Sequence, residues 1–246
     1  MSFRAMLLGA AAMLPLAGGS AQAQLMQPIT GLYIAGGAGF NWVQGTQIEP
    51  AGTFGNTLSQ GGVYPGGKAS FNTGWAVVGS VGWGFGNGLR VEIEGNYRDN
   101  GVDNVNGFTP LAPFNVSGRQ ISYGVMGNVL YDLNLPYFGV AFPWIQPYIG
   151  GGIGYVWTDW HNVRATSPLG VNITANDTDG RFAFQGIIGA AFPIAQVPGL
   201  AITAEYRFLG TLSPSVTAQV RSTRTGAILT SGPVDVDNYN HAALIG

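Results

Sequence analysis

Seven charged residues stand at spacings that chemistry could use. Arg90, Glu92, Glu94 and Arg98 occupy alternate positions of one short stretch, with Asn96 completing the series; Asp132, Glu205 and Arg207 lie in similar alternating surroundings. Carboxylates and guanidinium groups on one side of an extended segment can pair with one another or line a polar passage. They supply no nucleophile. Thiolate chemistry and disulfides are excluded because the chain has no cysteine. Two histidines are present, His161 and His241. His161 is close in sequence to Asp159, Asp177 and Asp179, from which a divalent-cation site could be assembled. The calcium-loop pattern begun by Asp177-Thr178-Asp179-Gly180 fails, however, because its twelfth position is Ile188. The run Gly150-Gly151-Gly152-Ile153-Gly154 lacks the Lys-Ser/Thr ending of a phosphate loop, and its small residues instead let neighbouring strands or side chains approach closely. A Gly-x-Ser-x-Gly nucleophile elbow is missing, which argues against a serine hydrolase built on either histidine. The chain is therefore expected to have no catalytic residue, no metal and no cofactor, and the seven charges are read as a polar network.

The element that positions the first four charges is Leu89–Arg98. Its odd positions, Leu89, Val91, Ile93, Gly95 and Tyr97, are apolar or small; its even positions are charged or amide. That alternation is the mark of a strand with one oily and one ionic face. Such a strand fits a soluble sheet, with its ionic face in water. It also fits a membrane barrel, with its oily face in lipid and its ionic face in the lumen.

Composition favours the membrane. Charged residues make up 9% of the 246, against roughly 25% in an average soluble domain. No apolar run long enough for a spanning helix follows the N-terminus. The net charge of −2 offers no electrostatic reason for nucleic acid as a partner. Residues 1–23 read as a secretory signal: Arg4 is the positive start, Ala5 to Ala17 the apolar stretch, and Ala21-Gln22-Ala23 the small-x-small cleavage site. The mature chain, 24–246, then alternates in eight stretches, 31–43, 71–85, 89–98, 119–133, 144–157, 181–192, 200–209 and 239–246. Long polar connections at 44–70, 99–118, 158–180 and 210–238 alternate with short ones at 86–88, 134–143 and 193–199. Outer-membrane barrels sort their extracellular loops and periplasmic turns in this way. Each charge beyond the signal falls in a loop, at a loop edge or on an inward face, as expected if a cation on the lipid face costs roughly 2–4 kcal/mol at mid-bilayer. Trp42, Trp83, Tyr97, Tyr131, Trp157 and Phe192 fall near strand ends, where aromatic girdles sit.

Three segments resemble strand motifs of the OmpA-like outer-membrane β-barrel family of Gram-negative bacteria: Met126-Gly127-Asn128-Val129-Leu130-Tyr131-Asp132, Pro147 to Tyr155, and Ala204-Glu205-Tyr206-Arg207-Phe208. The resemblance covers 24–246. It implies an all-β, eight-stranded antiparallel transmembrane up-and-down barrel in the outer membrane. Members commonly close on an aromatic residue, whereas this chain ends at Leu244-Ile245-Gly246, so the last strand is expected to be truncated. Many relatives continue into a peptidoglycan-binding domain, of which this sequence holds nothing.

The resulting expectation is an integral outer-membrane protein with a structural, envelope-integrity role and low-conductance porin activity. Its partners would be outer-membrane lipid and lipopolysaccharide, with small solutes or surface ligands reached through the loops. A surface adhesin acting through those loops is the alternative, and an outer-membrane lipid-modifying enzyme a further one. Across the lumen, Glu205 and Glu92 or Glu94 are expected to pair with Arg90 or Arg207, with exchange of partners opening a narrow pore.

Overall fold

The computed structural model describes residues 28–50, 52–64, 66–134, 144–212 and 215–246. The expected signal segment, the cut after Ala23 and most of the 134–143 connection lie outside the described residues. The elements run β1 Thr30–Val43, β2 Thr46–Pro50, α1 Gly52–Gln60, β3 Gly67–Phe71, β4 Gly74–Phe85, β5 Leu89–Gly107, β6 Asn115–Asp132, β7 Gln146–Ser167, β8 Val171–Pro193, β9 Ala201–Thr211, β10 Ser215–Ser222, β11 Ile228–Val236 and β12 Tyr239–Ile245.

All the described pairings are antiparallel, in one sheet of twelve strands rather than the eight expected. The pairings resolve the difference. One circuit passes β1–β4–β5–β6–β7–β8–β9–β12 and returns to β1. A second passes β2–β3–β5–β6–β7–β8–β10–β11 and returns to β2. The long strands β5 to β8 belong to both. The shorter β1, β4, β9 and β12 give way at one end to β2, β3, β10 and β11.

This corrects the expectation of four long polar loops. Residues 44–70 hold β2, α1 and β3; 99–118 is mostly the ends of β5 and β6; 158–180 turns only between Ser167 and Val171; 210–238 holds β10 and β11. Alternation is present in these segments but carried by small residues with the opposite sense. Val216, Ala218 and Val220 point inward and are buried, while Thr217 between them is exposed. Irregularities at Ser70/Phe71 and Trp160/Val163 shift the register, which hides a continuous period of two.

At the other end the chain turns tightly. Gly86 and Gly88 take φ of 75° and 93°, and Asn87 Oδ1 accepts the Leu89 amide at 3.0 Å, closing β4 onto β5. The outer wall of the first circuit is oily: Phe40, Ile93 and Ile153 are about two-thirds exposed, with Val81, Val125, Val129 and Ile188 in the same band. Soluble proteins rarely expose an apolar surface of this extent. Rings bound the band on one side, where Tyr97, Tyr123 and Trp157 stand opposite one another on consecutive strands, and Trp42 stacks on His241 at 5.9 Å. The expectation of an outer face without charge needs a correction beyond this row. Asp99 lies opposite Trp75 and Ile121 on the outer face and pairs with the half-exposed Arg119.

Candidate functional site

The interior of the first circuit is a consequence of strand alternation. In β5, Arg90, Glu92, Glu94, Asn96 and Arg98 share the inward face and are buried. Asp132 enters from β6, and Glu205 with Arg207 from β9. The structure brings five of the seven predicted charges into ion pairs with one another. Arg90 pairs with Asp132 at 2.8 Å. Arg207 bridges two carboxylates, Glu205 two residues away at 2.7 Å and Glu94 from the far side of the circuit. Glu92 has a phenol instead of a cation: Tyr33 Oη donates to its Oε1 at 2.7 Å. Arg98 stands apart from the carboxylates, donating from Nη1 to Asn96 Oδ1 at 2.7 Å; its Nε and Nη2 have no hydrogen-bond partner among the described residues.

Sequence reasoning about charges missed the two tyrosines. Tyr148 donates to Glu205, and Tyr33 to Glu92, so each phenol holds one carboxylate. The Arg90 guanidinium carbon lies 5.7 Å from the Tyr33 ring centroid and 4.7 Å from that of Tyr148, which places the cation between two π faces. Each ring lies across a glycine directly opposite on the neighbouring strand, Gly82 for Tyr33 and Gly189 for Tyr148. A Cβ on Gly82 would come within 2.4 Å of the Tyr33 ring, and one on Gly189 within 2.5 Å of Tyr148. The signal was available: Tyr33 and Tyr148 have inward parity, unlike the girdle tyrosines.

Amides connect and cap the ion pairs. Asn128 donates to Glu94 Oε2 at 2.8 Å, and Gln185 to Asn128 Oδ1 at 2.6 Å. The glycine run of β7 explains how such side chains fit. Gly150, Gly152 and Gly154 lie opposite Leu130, Asn128 and Met126 of β6. A Cβ at any of the three would fall within 2.6 Å of the opposite side chain. β6 therefore lays its side chains over a strand with none of its own there. Above the ion pairs, towards the second circuit, Asn41 donates to Asn100 at 2.6 Å and to Asn240 at 3.0 Å. Asn240 donates to Asn238 at 2.8 Å, and Asn238 to Thr158 at 3.1 Å. This amide belt spans β5, β1, β12 and β7.

The two histidines lie outside this interior. His241 Nδ1 is 2.7 Å from Tyr206 Oη, within the Trp42 ring cluster. His161 Nδ1 is 4.0 Å from Asp159, on the outer face. Asp177 and Asp179 accept the backbone N–H groups of Thr217 and Ser215 at 3.1 and 2.8 Å, fastening β10 to β8 where the ladder between them ends. Among the described residues no group of three or more His, Cys, Asp or Glu is placed to hold a metal ion.

What this arrangement can do chemically is to fill a cross-section with mutually compensating charge. Against known proteins, residues 9–228 match the family described as "Outer membrane protein beta-barrel domain". An "Outer membrane protein" of Gluconacetobacter diazotrophicus is 37% identical over 225 residues, covering 89% of this chain and 57% of that protein. The chain thus spans little more than half the length of that relative. Two solved structures share the fold at a TM-score of 0.51. The outer membrane protein OprG of Pseudomonas aeruginosa is 15% identical, covering 88% of this chain and 94% of its own. The outer membrane protease OmpT of Escherichia coli is 10% identical, covering 92% and 98%.

Proposed function

Because the chain belongs to the outer membrane protein β-barrel family, we propose that its first circuit is an eight-stranded transmembrane barrel with a lumen closed at rest, and that its role is structural, in envelope integrity. Membership places the protein in the outer membrane. The oily outer band then meets lipid, the ring rows meet the headgroups, and the short turns face the periplasm. Arg119, paired with Asp99 just beyond the rings, lies at headgroup depth, where an outward charge is cheap and lipopolysaccharide phosphates are within reach.

The observation that carries the closed state is the way Arg207 ties Glu94 to Glu205 while Arg90, set between two tyrosine rings, pairs with Asp132. An eight-stranded barrel is just wide enough for side chains to fill it. Breaking one of these buried pairs leaves a charge uncompensated, a cost of about 3–5 kcal/mol. Conduction would require Arg207 or Arg90 to exchange partners, so any porin activity is rare and of low conductance. The proposed role is non-enzymatic, because the buried carboxylates are engaged with Arg and Tyr partners.

Fractionation of cells carrying the gene tests this reading. The protein is expected in the outer membrane with heat-modifiable mobility on gels, and its deletion is expected to sensitise the envelope to detergent. Recovery as a soluble periplasmic protein would overturn the barrel's placement, and a deletion strain with an unaltered envelope would overturn the role.

A further inference from the structure

The second circuit has the opposite polarity to the first. Its walls point Ala69, Val102, Val105, Val216, Val220 and Val234 into a common interior, and all six are buried. They enclose a cavity of about 80 Å³ with no charged residue in its lining. A space of that size would admit water on steric grounds, but a buried water needs two to four polar partners and the lining offers at most the unpartnered Trp160 indole N–H, so the chamber suits an apolar guest. The amide belt of Asn41, Asn100, Asn238 and Asn240 lies between this chamber and the ion pairs, so the chamber is a dead end and not a section of a passage.

Its cover is α1, and the sequence of α1 does not favour a helix. Gly-Thr-Phe-Gly-Asn-Thr-Leu-Ser-Gln contains one good apolar helix former, Leu58, and two glycines. Nine residues are also too few for an isolated helix in water. What holds α1 is the insertion of Phe54 and Leu58 into the chamber, where both are buried. The wall is shaped to receive them: a Cβ on Gly232 would lie 2.4 Å from Phe54. A guest that fills the chamber therefore competes with the two large apolar side chains, Phe54 and Leu58, that anchor this segment.

We propose that the chamber is a binding site for a small uncharged apolar molecule, an aromatic ring or short alkyl chain, and that α1 is a plug whose Phe54 side chain the ligand displaces. The site opens on the face away from the short turns and delivers nothing across the barrel. It is independent of whether the lumen below conducts.

Methyl NMR of the refolded full chain in lipid nanodiscs, titrated with toluene, tests the proposal. Val216, Val220 and Val234 should shift saturably, while lipid-facing Val81 and Val129 follow only the linear partition of toluene into the bilayer. Hydrogen exchange of the Gly61 and Val63 amides, bonded to Thr57 and Leu58 carbonyls, should accelerate as the site fills. Phe54→Ala should tighten binding by about fivefold, because the closed state no longer competes. Ala218→Phe, which fills the chamber, should abolish the saturable shift, with Ala175→Leu in its place should that variant not fold. Equal, unsaturable shifts in both methyl sets of the unmodified protein would overturn the site. Saturable binding with unchanged exchange at Gly61 and Val63 would overturn the plug.

Discussion

Arg207 is the residue on which the interior network turns. It is buried and bridges Glu94 and Glu205, and Glu94 also takes the Asn128 amide. Arg207→Ala should cost about 3–5 kcal/mol, since it strands two carboxylates in a site built to exclude water. Urea titration of the protein folded in lipid measures this as a lower midpoint. The combination Arg207→Met, Glu94→Gln, Glu205→Gln should recover most of the loss, because removing all the charges removes the desolvation cost along with the attraction. Failure of the triple variant to recover would mean that the bridge does more than compensate charge. The seven charged positions were legible as inward from parity alone. Which arginine meets which carboxylate was not, because partners such as Glu94 and Arg207 lie on β5 and β9 and meet only through closure of the sheet. The tyrosine partners were missed because a search for chemistry among charges passes over phenols.

At the level of elements, strand pairs work as bulk against void. Tyr33 lies over Gly82, Tyr148 over Gly189, and three β6 side chains over the glycines of β7. Gly82→Ala and Gly189→Ala should each destabilise by about 1–3 kcal/mol, as overpacking does. Each should also release the phenol from its carboxylate, seen as a change in near-ultraviolet circular dichroism. Gly186→Ala is the control: a Cβ there meets nothing within 4 Å, so it should be neutral or slightly stabilising. Equal losses at all three would show that backbone freedom, not the ring contact, sets the cost. The eight apolar stretches were readable because they combine large outward residues with small or polar inward ones. β2, β3, β10 and β11 were not, because small valines and alanines point inward there, polar residues point outward, and register shifts at Ser70/Phe71 and Trp160/Val163 break the count. Gly, Thr and Asn in those segments signalled loop, and long-range closure onto β8 and β5 overrode that local preference.

At the scale of the molecule, the described strands close two pairing circuits of opposite sense that share β5 to β8. The lower circuit is oily outside and polar within, whereas the upper is oily within and exposes Lys68 and Thr217 alongside Ile228 and Leu229. A soluble barrel and a membrane barrel are alternative readings of one alternating strand; here the same strands serve as each at different heights. This division follows the solvent: where the outer wall meets lipid, its interior must house the polar groups, and where it meets water, its interior can be a hydrophobic core. The proposed closure of the lower interior rests on paired charge. Planar-bilayer recording of the purified, lipid-refolded chain tests it most directly. The baseline should be indistinguishable from lipid alone, with brief, small openings whose frequency rises in Arg207→Ala. Steady, long-lived conductance in the unmodified protein would contradict it.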